Sequence, residues 1–291
     1  MQHTSPLRAL LPIVLPVVLA AALCTLSGGQ VVRWQGVSLL VWCAALAFGL
    51  QWLVLVPSFF AQTERFYDLT GSLTYLSILL LVATHGPALQ SANALVLLAC
   101  AVWAARLGSF LFVRITRDGH DKRFTSIKPH FWRFATAWTL QGLWVFMTLL
   151  GVVLVAGSPQ PHAWSAFSLV GGALWVLGFA LEVVADAQKR RFRAQPGNAG
   201  RFITTGLWAW SRHPNYAGEI LLWWGVFVYL VPQLQGWGWL AVLSPLFVTL
   251  LLTRVSGIPL LERAADKRWG EDPAYRAYRQ ATPVLWPRPP R

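Results

Sequence analysis

From Gly206 to Gly225 the chain reads GLWAWSRHPNYAGEILLWWG, which sets a cation, an imidazole, an amide, a phenol and a carboxylate within eight residues at the mouth of an apolar segment. Such groups at a membrane boundary are costly unless partnered, so their clustering points to a site rather than to a folding device. Pro214, with its fixed φ and missing N–H, suits the first turn of a helix, which places Asn215, Tyr216 and Glu219 at the start of that helix. Asn215 and Glu219 are four apart and share a face. The free N–H groups and positive dipole end of the helix, with Arg212 beside them, form a receptor for an anion such as a phosphate. The competing reading is a membrane helix whose cationic end snorkels to lipid headgroups. That accounts for Arg212 but not for His213, Asn215, Tyr216 and Glu219 as well.

The whole chain is apolar around this cluster. Of 291 residues, 56% are hydrophobic and 12% charged, with a mean hydropathy of +0.51. A soluble domain carries about 25% charged residues, so the composition predicts an integral membrane protein. The net charge of +13 would suggest nucleic acid in a soluble protein. Here the basic residues sit in a few loops between apolar runs, so topology and anionic headgroups account for them and no nucleic-acid partner is expected. Cys24, Cys43 and Cys100 lie inside apolar segments without paired spacing, and the six histidines form no HxxH or HExxH pattern. Neither a disulfide framework nor a metal site is expected. Most of the 17 tryptophans fall near the ends of apolar runs, as in an interfacial belt. Trp223 and Trp224, beside the central cluster, are candidate walls for a flat ring.

Apolar runs cover Leu7–Leu26, Gly36–Val56, Leu69–Thr84, Ala92–Val113, Thr136–Val155, Phe167–Ala185, a seventh segment ending near Val231, and Gly238–Leu252. They predict an all-α polytopic helix bundle of seven to eight transmembrane helices, forming a single membrane domain over residues 1–291. The first run is longer than a typical leader's apolar region and no A-x-A site ends it before Ser27, so it reads as a retained span. The third has an apolar core of only a dozen residues, Ser72–Ala83, and suffices only if all of Leu69–Thr84 is helical. Between the runs lie a polar hairpin, Ser58–Thr70, a basic loop, Arg114–Arg133, a turn-rich Gly157–Pro161 and a Pro/Gly break, Gln195–Gly200. An amphipathic tail begins at Arg254 and ends in the Pro-rich residues 284–291. If loops alternate sides, only Arg33 falls opposite the basic loops. The positive-inside rule then puts Glu64–Asp68, the Arg114–Arg133 loop, Lys189–Arg212 and the C-terminus on the cytoplasmic side.

No GxGxxG follows a strand and no GxxxxGKS/T occurs, so a phosphorylated cofactor would depend on helix ends and cationic side chains. Arg106, Arg114 and Arg117 form one cluster, Lys189, Arg193 and Arg212 a second, Arg254 and Arg263 a third. Each charge-assisted bond to a phosphate contributes about 1.5–3 kcal/mol, so three or four suffice for a dinucleotide. The bland reading of any one of them is topology and headgroup binding. Arg106, roughly four turns into an apolar helix, needs an internal partner, and Glu64, Asp68, Glu182 or a bound anion are available. Glu182 and Asp186 either partner the basic turn that follows them or bind a cofactor's ribose or amide. Tyr275 and Tyr278, each taken alone, read as interfacial aromatics.

Four blocks together carry a resemblance: GLWAWSRHPNYAGEILLWWG, EVVADAQKRRFR (Glu182–Arg193), SGIPLLE (Ser256–Glu262) with the Tyr275–Tyr278 tail, and FYDLTGSLTY (Phe66–Tyr75). The chain resembles the steroid 5α-reductase C-terminal-domain family of membrane reductases, over about Phe66 to Pro283. The RHPNYxG core is shared more loosely with sterol double-bond reductases and isoprenylcysteine carboxyl methyltransferases. The resemblance implies N-terminal spans over 1–65 and a reductase-like region over 66–283, with NADPH bound within 182–279 and facing the cytoplasm. It implies reduction of a polarised carbon–carbon double bond of a sterol-like or isoprenoid lipid entering from the bilayer, in a bacterial inner membrane. By matching position, Asn215, Tyr216 and Glu219 would lie along the cofactor, with Glu182, Asp186 and Arg193 on the preceding helix and Arg254 in the tail. Arg106 and Arg117 match arginines near the cofactor of the animal enzymes. Lys189, Arg212, His213, Glu262, Tyr275 and Tyr278 complete the candidate cofactor set. No residue is matched to the Glu and Tyr that bind a steroid 3-oxo group.

Adding hydride to an enone requires a donor that stabilises charge on the carbonyl oxygen. Tyr67 and Tyr75 are possible donors, and Glu64 or Asp68 would serve if burial kept one of them protonated. The rival readings are an S-adenosylmethionine-dependent methyltransferase and a non-catalytic lipid-binding or transport protein on the same fold. The surplus of Arg and Lys favours NADPH, which carries three phosphates, over the cationic methyl donor.

Overall fold

The computed structural model describes residues 6–90, 92–160 and 164–290. Pro161, the last residue of the expected Gly157–Pro161 turn, lies outside them. The helices are α1 (Pro6–Ser27), α2 (Leu39–Phe60), α3 (Tyr67–His85), α4 (Asn93–Asp118), α5 (Phe131–Ala156), α6 (Ala166–Ala194) and α7 (Pro214–Leu230). A 3-10 turn, Gly236–Val242, leads into α8 (Leu243–Leu250), a π turn (Leu251–Val255), α9 (Ile258–Trp269) and α10 (Pro273–Ala281). Among the described residues seven helical runs are long and apolar enough to cross a membrane: α1 to α6, and Gly236–Trp269 taken as one. The chain is therefore an all-α, multi-pass membrane protein. α7, at 17 residues, is a shorter eighth hydrophobic helix.

The boundaries differ from the sequence expectation where a helix continues past a proline or into polar residues beyond its apolar run. α2 runs through Pro57 to Phe60 rather than ending there, because a proline in the last turn removes only the bond to the Leu53 carbonyl. α4 continues past Val113 to Asp118 and stops at Gly119, whose φ of +79° suits glycine and whose N–H bonds the Ile115 carbonyl. Arg114 and Arg117 are thus helical, not part of a loop. α6 likewise carries the basic run to Ala194. α3 is helical over 19 residues, which meets the length condition set for the third span.

The chain divides into two compact units. The first comprises residues up to Trp164 together with Pro232–Ser244. Its centre is α5, with Phe134 and Trp138 fully buried against Leu55 and Phe124. Tyr67 meets Phe124 and Trp138 edge-on at 4.8 and 5.2 Å, the geometry that ring quadrupoles favour. A two-residue hairpin joins β1 (Arg33–Trp34) to β2 (Val37–Ser38), with positive φ at both Gln35 and Gly36, as such a tight turn requires. Pro232–Ser244 is tied in by reciprocal amide bonds between Asn93 and Gln233, at 3.1 and 3.2 Å, and by the Ser244 hydroxyl donating to the Thr148 carbonyl.

The second unit comprises Ser165–Val231 and Pro245–Arg291. Its frame is the antiparallel pair α6 and α7, which meet backbone to backbone at glycines. A Cβ added to Gly178 would lie 2.5 Å from the Leu222 nitrogen and 2.6 Å from the Gly218 oxygen. One added to Gly225 would lie 2.7 Å from the Trp175 nitrogen and 2.8 Å from the Gly171 oxygen. Only glycine permits this approach, which maximises dispersion contact where lipid removes the hydrophobic driving force. Past α10 the chain returns along Trp208–Arg212. Arg212 N–H donates to the Pro283 carbonyl, Arg288 N–H to Trp210, and the Ser211 hydroxyl to Leu285.

Candidate functional site

Thirteen of the candidate cofactor residues lie in the second unit: Glu182, Asp186, Lys189, Arg193, Arg212, His213, Asn215, Tyr216, Glu219, Arg254, Glu262, Tyr275 and Tyr278. They fall into two sets with different surroundings.

The first set follows from the glycine contact. Because α6 and α7 touch at Gly178 and Gly218, the next turns of both helices bring polar residues together. Asn215 Nδ2 donates to Asp186 Oδ1 at 3.3 Å. Glu182, Asp186 and Glu219 are buried at 2%, 9% and 9% exposure. Three carboxyl groups buried in an apolar helix pair are costly without polar partners, so they define a place where hydrogen bonds are made. One turn further on, Lys189 stands over the Trp208 ring at 4.3 Å, a cation–π contact. Arg193 follows on the exposed part of α6, and Arg254 is exposed in the π turn.

The second set is an intramolecular clamp on the N-terminus of α7. Arg212 Nη1 donates to Glu262 Oε2 at 2.5 Å, and His213 Nε2 lies 2.8 Å from Glu262 Oε1. Arg212, expected as an anion receptor beside the helix end, is thus engaged by a carboxylate of α9. Burial lowers the His213 pKa; the Glu262 hydrogen bond raises it, and the net result stays below the ordinary histidine value. His213 is therefore neutral at pH 7. Its Nδ1 and the Nε of Arg212 are buried and have no hydrogen-bond partner among the described residues. Tyr216 stacks on His213, with rings 5.8 Å apart and 9° from parallel. Tyr275 donates to Asp266 at 3.4 Å and Tyr278 to the Trp208 carbonyl at 2.7 Å. Both tyrosines pack against Phe202 rather than serving as interfacial aromatics.

The remaining candidates belong to the first unit. Glu64 accepts from Lys128 Nζ at 2.5 Å and from the Asp121 N–H at 2.7 Å. Burial pushes this carboxyl up, but the Lys128 ammonium and the Asp121 N–H outweigh it and hold it below the usual carboxylate range. The condition for Glu64 as a proton donor, protonation at neutral pH, is not met. Asp68 pairs with Arg114 at 3.3 Å, and the Tyr67 hydroxyl donates to the Ala137 carbonyl at 3.0 Å. Tyr75 is buried edge-on against Trp103 at 5.2 Å. Arg106 is half-buried over the Phe110 ring, while Glu64 and Asp68, two of the partners expected for it, are bonded to Lys128 and Arg114. Arg117 pairs with its neighbour Asp118 on the exposed end of α4. No group of three His, Cys, Asp or Glu among the described residues is arranged to hold a metal ion.

Sequence reasoning missed the Glu262 clamp and the Lys128–Glu64 pair, which join residues 49 to 64 positions apart with no local pattern. It also missed the glycine contact, although a signal was present: Gly171 and Gly178, like Gly218 and Gly225, are seven apart and so lie on one helix face.

Over residues 51–282 the chain matches a family described as a protein of unknown function, DUF1295. The chain belongs to that family, whose members are membrane proteins related to the steroid 5α-reductases. An uncharacterized protein of Schizosaccharomyces pombe is 27% identical over 158 residues, covering 47% of this chain and 43% of that relative's length. No solved structure matches the chain.

Proposed function

We propose that the protein is an NADPH-dependent membrane oxidoreductase that reduces a carbon–carbon double bond of a sterol-like or isoprenoid lipid, with the cofactor side facing the cytoplasm of a bacterial inner membrane. The observation that carries this reading is the buried group on α6 and α7: Glu182, Asp186 bonded to Asn215, and Glu219, continuing into Lys189 and Arg193. Acceptors of this kind suit ribose hydroxyls and a carboxamide, and the cations beyond them suit phosphates. The buried, unpartnered Arg212 Nε and His213 Nδ1 offer one donor and one acceptor more, which fits a polar cofactor rather than a lipid tail.

NADPH, when bound, supplies the hydride. The chain's own work is placement. Asp186 orients the Asn215 amide, the Glu262 carboxylate holds Arg212 and His213 in position, and Lys189, Arg193 and Arg254 carry positive charge for phosphates. Of the front-half candidates for the proton donor, Glu64, Tyr67 and Asp68 each make a bond within the first unit.

Thermal unfolding of the detergent-purified protein tests the proposal. A ligand that binds only the folded state raises stability by RT ln(1 + [L]/Kd), about 2.7 kcal/mol at a hundredfold excess over Kd. NADPH should raise the midpoint more than NADH or S-adenosylmethionine does. A larger shift with S-adenosylmethionine would move the assignment to a methyltransferase, and no shift with any of the three would leave a lipid-binding or transport role.

A further inference from the structure

A hollow of mixed polar and apolar lining lies in the second unit, and none of the residues assigned to the cofactor lines it. It has a volume of about 310 Å³, with Gln188, Arg191, Phe192 and Gln195 on one side and Ile203 and Thr205 on the other. The four α6 residues recur at the three–four spacing of a single helix face. Glu182, Asp186, Lys189 and Arg193 occupy another, roughly 140° around the helix at about 100° per residue. The two sites therefore look in different directions from one helix.

The hollow is a built feature. Gln188 Oε1 accepts the Leu207 N–H at 2.9 Å and so fixes the facing strand of chain. Gly206, also in the lining, has a φ of +63°, and a Cβ there would come within 2.6 Å of the Gln188 side chain. Gln195 Oε1 accepts from Asn198 Nδ2 at 2.8 Å, which ties this lining residue to the turn that ends α6. Phe192 packs into the cluster of Ala185, Ile203 and Trp208, giving the hollow an apolar floor. No hydrogen bond or ion pair among the described residues engages the Arg191 guanidinium.

The stretch of sequence that builds the hollow is basic. Between Ala187 and Gly218 the chain holds Lys189, Arg190, Arg191, Arg193, Arg201 and Arg212 and no Asp or Glu. A guanidinium beside two amides and a hydroxyl, over an apolar floor, matches a phosphate ester joined to a short carbon backbone. The volume stands at the lower end of the roughly 300–1,000 Å³ of small-ligand sites, which suits one headgroup and not a dinucleotide. The hollow closes the end of a membrane-spanning helix, where anionic headgroups gather around basic side chains.

We infer that the hollow between the end of α6 and Ile203–Gly206 binds a phosphate ester of headgroup size, through Arg191 and the neighbouring amides. The inference is independent of the reductase reading. Two sources share this chemistry, the headgroup of an anionic phospholipid and a soluble phosphate monoester.

The test uses the full chain in detergent, with thermal midpoint read against short-chain phosphatidylglycerol, phosphatidylcholine and glycerol 3-phosphate. Arg191→Gln removes the charge, Thr205→Leu fills the hollow, and Arg190→Gln is the control, an equal charge change outside the lining. All three positions are exposed, so unliganded midpoints should match the wild type. Phosphatidylglycerol should stabilise wild type and R190Q saturably and more than phosphatidylcholine does. R191Q and T205L should need roughly tenfold more of it, the loss expected for one charge-assisted bond. A response to glycerol 3-phosphate of the same size, lost in the same two variants, would identify a soluble ester as the ligand. Equal responses in wild type, R191Q and T205L to both phosphate probes, or a loss as large in R190Q as in R191Q, would overturn the inference.

Discussion

Glu262 accepts from both Arg212 and His213, so one carboxylate of α9 fixes two residues at the start of α7. With Nε2 turned to Glu262, neutral His213 leaves Nδ1 as a buried acceptor; protonation would make it a buried donor lacking a partner. The sign of the pH effect follows. The folded pKa is depressed, so the contribution to stability is complete above the unfolded value of about 6.5 and is lost as pH falls through the folded value. The melting midpoint should drop on acidification from pH 7.5 to 5.5, and His213→Gln should flatten that drop; parallel profiles for the two proteins would remove His213 as its source. For the cofactor residues, Asn215→Ala should weaken NADPH binding by about fivefold and Arg193→Ala by roughly tenfold or more, as expected for a neutral and a charge-assisted hydrogen bond. Titration calorimetry on folded variants measures both, and unchanged affinity in the pair would withdraw the site assignment.

At the scale of elements, the pairing of α6 with α7 places the buried carboxyl groups, and it rests on glycines rather than on interlocking side chains. Gly178→Ala inserts a methyl where backbone atoms already stand at 2.5 and 2.6 Å, so it should destabilise by about 1–3 kcal/mol or more. Gly172, six residues earlier on the same helix, faces open space, with nothing within 4 Å of where a methyl would sit, and Gly172→Ala should be neutral or stabilising by up to about 1 kcal/mol. Unfolding midpoints of the two variants decide the matter, and similar values would contradict close helix contact at Gly178. The helices themselves were readable from their apolar runs. Their ends were not: α4 and α6 carry basic residues in their last turns, where the backbone bonds continue without hydrophobic support, and α2 runs on through a proline.

For the molecule as a whole, orientation in the membrane is testable through the loops. Three helices, α2, α3 and α4, separate the β1–β2 hairpin from the turn after Gly119, so the two belong on opposite sides of a membrane. The proposed orientation, argued from the positive-inside rule, has the Arg114–Arg133 side in the cytoplasm. Cys24, Cys43 and Cys100 are buried, which keeps background labelling low. A cysteine introduced at Gln35 should react with an impermeant maleimide added outside intact cells, while one at His120 should react only after permeabilisation. The opposite pattern would overturn the proposed orientation.

Sequence alone determined that the chain is an all-helical membrane protein, because apolar runs of spanning length leave the backbone no other way to satisfy its hydrogen bonds in lipid. It also determined that Pro214 opens a helix bearing Asn215 and Glu219, since that depends on local backbone geometry. The tertiary structure alone decided which of the clustered ionisable groups hold the chain together and which line a hollow. Arg212 reads as a candidate anion receptor and Glu64 as a candidate proton donor in the sequence, yet they are bonded to residues 50 and 64 positions away respectively. Arg191, one of six cations in an acid-free stretch, is distinguished only by the fold that brings Ile203–Gly206 against it. Charge partners are set by proximity in space, and at these separations no spacing along the chain encodes it.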